Sequence, residues 1–349
     1  MHPTIKPFDA LRRPVEIMAA TQMRALLVDR ADAPFRLVTL DRPVPGAGQV
    51  LVRIEASGAN PLDTKIRRGN APHAKHPLPA VLGMDLAGVV EGVGAGVTAF
   101  AVGDRVYGLT GGVGGLQGSL AEYAAVDADL LAPIPVNFGM REAAALPLVF
   151  ITAWEGLVDR AGVTAREKVL VQGGAGGVGW MAIQIARSFG AEVFATGSAA
   201  SQRAIEQLGA TAIDYGQSSV AEYVADHTAG LGFDIVYDTV GGATLDASFQ
   251  AVRRFGHVVS CLGWGAHLLA PLSFRAATYS GVFSLLPMLT GQGREHHGAI
   301  LREATRLAEA GHLVPRIDGR RFGMDAVAEA HEAIESRDAV GKIVIDVAV

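Results

Sequence analysis

The sequence predicts an α/β protein in which a β-rich, barrel-like unit is followed by a doubly wound parallel sheet. Up to about residue 148 short strand-like runs alternate with turn residues, and beyond it strand-like runs alternate with helical ones. Short strands separated by turns are typical of barrels, whereas strand–helix alternation implies parallel strands joined by right-handed crossovers. With 349 residues, the chain is long enough for two domains.

The β-rich unit is expected to begin at Met23. Proline and glycine between residues 43 and 48 interrupt its strand-like runs. In chain order the runs are RALLVDR, FRLVTLDRP, QVLVRIEASG, LAGVVEGVG, DRVYGL and LAEYAAV. Residues 1–22 precede them as an N-terminal extension, which lacks the apolar core of a signal peptide and carries Asp9 and Glu16, unlike a transit peptide.

The alternating part is expected to be a separate domain at residues 149–286. Its elements are VLVQG, a helix over 177–189, EVFATGS, a helix over 201–208, FDIVYDTVG, a helix over 243–252 and HVVSCLG. The tail then carries helices over 298–310 and 324–335 and a last strand, KIVIDV. We expect the tail to return to the first unit, so that residues 23–148 and 287–349 form one domain.

The most informative motif is the glycine-rich turn in VLVQGGAGGVG, residues 169–179. An apolar strand leads into the pattern Gly-x-Gly-x-x-Gly, and apolar residues then recur at the spacing of one helical face. A pyrophosphate must approach the backbone here, and a Cβ would block the turn, that approach or the packing of helix on strand. Exposed N–H groups and the positive end of the helix dipole meet the phosphate charge. The predicted dinucleotide site comprises Gly174, Gly176, Gly177, Val178 and Gly179.

The composition argues against several other classes of protein. Half of the residues are hydrophobic and 19% are charged, unlike a disordered chain. The formal net charge of −5 leaves no basic footprint for nucleic acid, and no apolar run reaches the length of a membrane span. Cys261 is the single cysteine, so it cannot form an internal disulfide, which points to the reducing cytoplasm.

Five stretches of the sequence, taken together, match the pattern of a known family. They are ASGANPLDTKIRRG at 56–69, PAVLGMDLAGVVEGVGAGVTAFAVGDRVYG at 79–108, AAALPLVFITAWEGL at 143–157, the glycine turn, and EAHEAIESRDAVGKIVIDV at 329–347. In these stretches the chain resembles the zinc-independent quinone oxidoreductase branch of the medium-chain dehydrogenase/reductase superfamily. The resemblance implies a GroES-like β-barrel catalytic domain, a Rossmann domain, and a cleft between them that holds a nicotinamide nucleotide.

Zinc is the first cofactor to consider, because many members of the superfamily use it. In zinc-type members a cysteine precedes the segment matching residues 60–63, and a Gly-His-Glu matches residues 83–85. This chain lacks the cysteine and has Met84 in place of the histidine, and a thioether is a poor zinc ligand. The structural zinc lobe needs four clustered cysteines, and His73-x-x-His76 is typical of surface histidines in a polar loop. We therefore predict that no zinc or other metal is bound.

NADPH is predicted in preference to NADH. An acid after the second strand of the parallel sheet would hold the ribose 2′-hydroxyl and repel a 2′-phosphate, and residues 197–203 contain none. In the resembling family a lysine often lies near position 201 to hold the phosphate. Here Ser198 and Ser201 occupy this stretch, with Arg203 as a candidate substitute for the lysine. Tyr215 either matches a family tyrosine near the same phosphate or is an aromatic residue at a strand end.

Further cofactor contacts are predicted where other strands end, since ligands of such sheets lie at the carboxyl ends of the strands. Thr152 reaches the nicotinamide or the phosphates, or it caps the start of a helix. Lys342 matches a family lysine near the cofactor, or it is a solvated charge at a strand start. Asp238 is expected to cap its turn. The turns after later strands contribute Val240, Gly241, Leu262 and Gly263.

The candidate catalytic residues are Asn60, Asp63 and Lys65. Without a metal to polarise a carbonyl, hydride transfer depends on proximity and on donors aimed at the developing oxyanion, which favours a conjugated acceptor such as a quinone or an α,β-unsaturated ketone or aldehyde. Asn60 donates over the nicotinamide, or it is a turn residue before Pro61. Asp63 is expected to anchor the loop rather than take a proton. Lys65, where quinone reductases of this branch often have a tyrosine, donates to an oxyanion or points to water.

The leading hypothesis is a cytoplasmic, zinc-independent, NADPH-dependent reductase of a small-molecule electron acceptor, a quinone or an activated alkene. Two alternatives stay open: a zinc-type alcohol dehydrogenase, and a non-catalytic NADPH-binding redox sensor or structural protein. Because the family often dimerises through edge strands of the Rossmann sheet, a homodimer is expected, with HVVSCLG as the apolar candidate edge. No nucleic-acid or membrane partner is expected.

Overall fold

The computed structural model describes residues 21–348, so residues 1–20 of the predicted N-terminal extension lie outside the described part. The first half of the chain is β-rich. Its strands are β1 Gln22–Val28, β2 Arg36–Asp41, β3 Gln49–Gly58, β4 Ala80–Val81, β5 Asp85–Val93, β6 Arg105–Leu109, β7 Tyr123–Asp127 and β8 Leu131–Pro133. Its helices are α1 Pro61–Arg67, α2 Met140–Ala144 and α3 Pro147–Trp154.

The second half alternates strands with helices and then ends in a mainly helical tail. The alternating elements are β9 Lys168–Gln172, α4 Gly177–Ser188, β10 Glu192–Gly197, α5 Gln202–Gln207, β11 Thr211–Asp214, α6 Val220–Thr228, β12 Phe233–Asp238, α7 Ala243–Ala251, β13 Val252–Ser260, α8 Ala270–Ser273 and β14 Thr278–Gly281. The tail consists of α9 Leu286–Thr290, α10 Arg294–Glu309, β15 Phe322–Gly323, α11 Val327–Glu335 and β16 Val344–Asp346.

Three sheets organise these elements. The antiparallel sheet β2-β1-β4 lies beside a seven-stranded sheet with the order β15-β16-β3-β5-β6-β8, in which β7 also pairs with β3. The strand β16 pairs antiparallel with β3, so the end of the described chain joins the β-rich unit. The third sheet is parallel, with the order β11-β10-β9-β12-β13-β14. The predicted α/β class, a barrel-like unit with a doubly wound parallel sheet, is confirmed.

One prediction about the parallel sheet is wrong. The run HVVSCLG belongs to β13, which lies between β12 and β14, so it is not an edge strand. The edge strand on this side of the sheet is β14, whose residues 278–281 read TYSG. This strand is short and lacks an apolar run, so the hydrophobic pattern did not indicate it.

The helix after the glycine turn is buried on more than the one face that its apolar residues predicted. Trp180 and Gln184 are buried on α4, and their Nε1 and Nε2 atoms donate to the Val314 carbonyl at 2.8 and 3.1 Å. The tail thus covers the second face of α4 and returns to the glycine turn. Among the helices of residues 21–348, none combines the length and the apolar character that crossing a membrane requires.

Candidate active site

The glycine turn lies between the end of β9 and the start of α4, at the carboxyl edge of the parallel sheet. Gly173 has a φ of +78°, in the left-handed region that favours glycine. A Cβ on Gly179 would lie 2.2 Å from the Gly173 carbonyl oxygen, and a Cβ on Gly174 would lie 2.7 Å from Ala195 Cβ. The helix therefore approaches the turn this closely only because glycine occupies both positions. Gly176 is exposed, so the backbone of the turn is open to a ligand.

Three polar side chains hold this turn, and two of them, Gln172 and Thr196, were not indicated by the sequence patterns. Thr196 Oγ1 donates to Gln172 Oε1 at 2.8 Å and accepts from the Gly173 N–H at 3.1 Å. Thr239 Oγ1 donates to the Gln172 carbonyl at 2.7 Å. These residues lie at or just beyond the carboxyl ends of the neighbouring strands β9, β10 and β12. Their position at strand ends is the feature of the sequence that could have indicated them. The conformation of the turn is thus set by three adjacent strands together.

A cavity of about 810 Å³ runs along the carboxyl ends of β9, β10 and β12. The predicted cofactor residues Ser198, Ser201, Tyr215 and Val240 line it. Hydroxyl-bearing residues that were not predicted also line it: Thr196, Ser218, Ser219, Tyr223 and Thr244. None of the described residues that line the cavity is charged, and Arg203 is exposed on α5 outside the lining. The cavity has the size of a small-ligand site, and its polar surface consists mainly of hydroxyl groups.

A smaller recess lies at the N-terminus of α4, where the tail reaches the glycine turn. Gly176, Gly177, Arg316 and Lys342 line it. The Arg316 guanidinium lies 5.2 Å from the centroid of the Trp180 ring, and the Lys342 N–H donates to the Arg316 carbonyl at 2.8 Å. The Lys342 stem lines the recess while its Nζ is bonded to Ala59, Asn60 and Asp85, so Arg316 supplies the cationic group beside this helix N-terminus, where an anion is favoured. Arg316 was not predicted, because no local pattern marks it.

Lys342 belongs to a buried polar cluster with Asn60 and Asp85. Its Nζ lies 3.3 Å from Asp85 Oδ2, and it donates to the Ala59 carbonyl at 3.0 Å and to Asn60 Oδ1. The Asn60 amide in turn donates to Asp85 Oδ2 at 2.9 Å. Both ends of the Asn60 amide are thus bonded within the protein. Lys342 is 8% exposed, so its alternative interpretation as a solvated charge is wrong.

Asp63 and Asp85 are buried carboxyl groups at this cluster. Asp63 Oδ2 accepts from the Asn60 N–H at 2.8 Å at the start of α1, while its Oδ1 has no hydrogen-bond partner among the described residues. Asp85 Oδ1 accepts from the Leu148 N–H at 2.9 Å, at the N-terminus of α3. Burial raises the pKa of Asp63 to about 7, and burial also raises the pKa of Asp85 against the opposing charge of Lys342. Asp85 was not among the predicted site residues.

Asp238 anchors the turn that follows β12. Its Oδ1 accepts from the N–H groups of Gly241 and Val240 at 3.0 and 3.2 Å, and its Oδ2 accepts from Ser260 Oγ at 2.7 Å. Ser260 Oγ accepts from the Leu262 N–H at 3.0 Å. The two predicted turns after β12 and β13 are therefore joined through one buried carboxylate.

Thr152 lies inside α3 rather than at its start, so the interpretation of this residue as a helix cap is wrong. Its Oγ1 donates to the Leu148 carbonyl one turn earlier at 2.7 Å and lies 3.0 Å from Ser284 Oγ. The helix begins instead at Pro147, a residue type favoured at the first helical position. Thr152 is buried and connects α3 to the segment after β14.

The β-rich side of the cleft presents Lys65 and His73. Lys65 is exposed on α1, and burial together with the Lys65 charge lowers the pKa of His73. The His73 ring packs against Trp264 with centroids 5.2 Å apart. Trp264 follows Gly263, where a Cβ would lie 2.1 Å from the Tyr279 hydroxyl oxygen. The close turn at Gly263 thus carries Trp264 from the parallel sheet toward the β-rich unit.

No group of three or more His, Cys, Asp or Glu side chains within residues 21–348 is arranged to hold a metal ion. Met84 is fully buried in the core. His76 Nδ1 accepts from the Gly115 N–H at 3.2 Å, whereas His73 packs on Trp264. The two histidines of the His-x-x-His pair therefore have separate surroundings.

Comparison with known families matches two parts of the chain. Residues 46–136 match the alcohol dehydrogenase GroES-like domain, and residues 208–345 match a family described as zinc-binding dehydrogenase. Among solved structures, the chain is similar to an alcohol dehydrogenase superfamily protein from Novosphingobium aromaticivorans. The two are 58% identical with a TM-score of 0.92, over 93% of this chain and 100% of that one.

Three known proteins show the relationship in sequence. The chain is 38% identical to a 2-methylene-furan-3-one reductase of Solanum lycopersicum, over 85% of this chain and 71% of the relative. It is 36% identical to a chloroplastic NADPH-dependent alkenal/one oxidoreductase of Arabidopsis thaliana, over 85% and 72%. It is 31% identical to a quinone oxidoreductase of Homo sapiens, over 87% and 90%.

Proposed function

The chain belongs to the medium-chain dehydrogenase/reductase superfamily, in its quinone oxidoreductase-like branch, and from this premise we propose a zinc-independent, NADPH-dependent reductase of quinones or α,β-unsaturated carbonyl compounds. Membership in the family makes the protein a nicotinamide-dependent oxidoreductase. One observation carries the finer proposal: the cavity beside the glycine turn is lined by hydroxyl groups and by no carboxylate of the described residues.

The preference for NADPH rests on the residues that follow β10. An acid in this stretch would bind the ribose 2′-hydroxyl and repel a 2′-phosphate. Here the hydroxyls of Ser198 and Ser201 lie 3.3 Å apart at the rim of the cavity, and hydroxyl groups can donate to phosphate oxygens. Arg203, exposed on α5, supplies a positive charge to the same region. The related Arabidopsis thaliana oxidoreductase is described as NADPH-dependent, which supports the same choice.

The residues where zinc-type members bind their metal do not fit a zinc ion in this chain. Met84 is buried and offers only a thioether. The Asp85 carboxylate already has the Leu148 N–H, the Asn60 amide and the Lys342 ammonium around it. A metal ion beside Lys342 would meet a like charge in a buried site, which is unfavourable. No step of the proposed reaction therefore runs through zinc.

The cofactor, when bound, supplies a hydride. The backbone of the glycine turn with Arg316 would hold its pyrophosphate, because they lie together at the N-terminus of α4, while Lys342, bonded to Ala59, Asn60 and Asp85, holds the tail beside the turn. This anchoring positions the nicotinamide against the acceptor and lowers the barrier by proximity. Asn60, with both ends of its amide engaged, orients Lys342 rather than donating over the ring.

The acceptor is proposed to be conjugated, since no metal polarises its carbonyl. A hydride delivered to the carbon remote from the carbonyl would form a C–H bond there, and the alkene π pair would move so that negative charge develops on the oxygen. Lys65 is an exposed cation on the β-rich side, close enough to His73 to lower the pKa of that ring, and it can stabilise this charge. Water supplies the final proton.

A substrate panel tests the proposal. The purified protein is incubated with quinones, enones and simple alcohols in parallel with NADPH, NADH and their oxidised forms, and zinc is measured by elemental analysis. We expect oxidation of NADPH by quinones or enones at a rate that a chelator leaves unchanged. Stoichiometric zinc with alcohol oxidation lost to the chelator would instead identify a zinc-type alcohol dehydrogenase. Tight NADPH binding without turnover on any acceptor would identify a sensor.

Two further features belong to the proposal. The lone cysteine, Cys261, supports a cytoplasmic location, because it offers no internal disulfide partner.

A homodimer through the β14 edge is proposed, since unpaired backbone groups at a sheet edge can pair with a second strand. Sedimentation equilibrium should give twice the chain mass of 36.3 kDa, and a mass that stays at one chain at all concentrations would refute the dimer.

A further inference from the structure

Three aromatic rings meet across the cleft between the β-rich unit and the parallel sheet. His73 lies in the turn Pro72–Ala74, whereas Trp264 and Phe283 follow β13 and β14. The Trp264 centroid lies 5.2 Å from that of His73 at an interplanar angle of 30°, and 6.1 Å from that of Phe283 at 88°. His73 and Phe283 are 6.3 Å apart at 61°. The rings thus form one continuous wall contributed by both parts of the chain.

This wall lies toward the reacting end of the cleft. The hydroxyl-lined cavity follows β9, β10 and β12, and the glycine turn follows β9. Trp264 and Phe283 follow β13 and β14, which are the next two strands on the other side of β12. Ligands of parallel sheets lie along the carboxyl ends of the strands. A dinucleotide whose adenosine occupied the cavity and whose pyrophosphate lay at the turn would therefore extend its nicotinamide toward the aromatic wall.

The wall still has surface to bury. Trp264 is 54% exposed, although it is a large aromatic residue. The turn that presents it continues through Gly265, whose φ of +111° would strain a residue with a side chain. Phe283 and His73 are half-buried. Burial and the Lys65 charge lower the pKa of His73, which favours the neutral form of its ring. Flat, uncharged ring surfaces favour offset or edge-to-face contacts with another aromatic ring.

We propose that His73, Trp264 and Phe283 form an aryl-binding subsite, so that the preferred acceptors are aryl-conjugated carbonyl compounds rather than alkyl ones of similar size. This inference rests on the proposed function. The reaction is unchanged: NADPH is oxidised to NADP⁺, its hydride forms a C–H bond at the β-carbon, the alkene π pair moves toward the carbonyl oxygen, and water protonates the α-carbon. The aryl group, conjugated to the β-carbon, lies on the wall while that carbon faces the nicotinamide.

The test compares an aryl enone with an alkyl enone matched in size and carbonyl group, on the wild type and on three variants. In Trp264→Leu we expect kcat/KM for the aryl enone to fall by about tenfold while that for the alkyl enone changes by less than about twofold, consistent with the strength of one or two aromatic contacts. Trp264→Phe should retain most of the aryl preference. Phe274→Leu, at an exposed position after α8, is the matched control and should change neither value.

A binding measurement separates this inference from the proposed function. Saturated aryl and alkyl ketones, the expected products, are titrated into the NADP⁺-bound protein by isothermal titration calorimetry, a readout that does not depend on the tryptophan that is replaced. Tighter binding of the aryl ketone, lost in Trp264→Leu, supports the subsite even if no acceptor in the panel is reduced. Equal affinity for both ketones in the wild type, or equal losses for both enones in Trp264→Leu, overturns the subsite even if NADPH-dependent reduction is observed.

Discussion

Lys342 and Asp85 form a buried ion pair, with Nζ 3.3 Å from Oδ2 and side-chain exposures of 9% and 0%. The residues are 257 positions apart in the sequence. Lys342 pairs with the segment that carries Arg316, and Asp85 accepts from the N-terminus of α3. The pair therefore fixes the tail of the chain beside the glycine turn and the start of α1.

Removing one partner of this pair should strongly destabilise the protein. Lys342→Met leaves the Asp85 carboxylate buried without its cation, a change that costs about 3–5 kcal/mol in comparable sites. Urea unfolding without cofactor measures this loss. The double variant Lys342→Met, Asp85→Asn should regain much of it, because no buried charge is left unpaired. Strictly additive losses in the double variant would show that the two charges do not interact.

Asp63 should make the protein less stable as the pH rises from about 4 to about 7. Its pKa is raised by burial from 3.8 to about 7, so in this window the folded state holds a proton that the unfolded state has released. Stability is therefore lost as the pH rises through the folded pKa, with a slope of up to about 1.4 kcal/mol per pH unit from this group.

Asp63→Asn tests that slope because the amide keeps an oxygen for the Asn60 N–H and cannot ionise. We expect unfolding free energies of the variant to decline less steeply with pH, so that the difference between variant and wild type grows up to about pH 7 and is constant above it. A difference that does not change with pH would mean that Asp63 is ionised throughout.

Two glycines of the turn should respond differently to alanine. In Gly179→Ala the new Cβ would meet the Gly173 carbonyl at 2.2 Å, so helix and turn must separate and stability should fall by about 1–3 kcal/mol. In Gly176→Ala the nearest atom is 3.3 Å away and φ is −74°, so stability should stay within about 0.5 kcal/mol of the wild type.

Cofactor binding is a second property in which the two glycine variants can be compared. Gly176 is exposed in the recess with Arg316 and Lys342, so its methyl group should weaken NADPH binding without unfolding the turn. Isothermal titration of both variants measures this. If Gly176→Ala binds NADPH as the wild type does, the pyrophosphate does not contact this part of the turn.

Ser198→Asp should shift the cofactor preference toward NADH. A carboxylate at this rim position would repel a 2′-phosphate and accept from a ribose hydroxyl. We expect the ratio of kcat/KM for NADPH to that for NADH to fall by at least about tenfold, because the substitution introduces a like-charge repulsion against the 2′-phosphate. Ser198→Asn introduces a neutral side chain of the same size as aspartate, so it is the control and should shift the ratio much less. Equal effects of both substitutions would attribute the change to side-chain size.

The parts of the molecule that local pattern determines were predictable from sequence. The glycine turn, its strand and its helix follow from residue spacing and backbone sterics, although the left-handed residue is Gly173, one position before the motif. The helix α6 also had a local signal, the capping box of Ser219 and Glu222, which joins them at 2.8 Å.

What sequence could not provide is the pairing of distant residues. Nothing in the order of residues links Asp85 to Lys342, or Arg316 to the ring of Trp180, since these contacts arise only when the tail returns to the cleft. This limit matters most for Asn60, which the sequence suggested as a hydrogen-bond donor over the nicotinamide. Its residue type suggested a free amide, and only the fold reveals that Lys342 and Asp85 occupy both ends of it.

We propose that this chain transfers a hydride from NADPH to a conjugated carbonyl compound. The most direct measurement uses NADPH deuterated at the transferable position of the nicotinamide, with an enone and a quinone as acceptors, and locates deuterium in the enone product by mass spectrometry and NMR. We expect one deuterium at the β-carbon of the saturated ketone, and faster turnover with NADPH than with NADH. No oxidation of NADPH above the enzyme-free rate with either acceptor would contradict it.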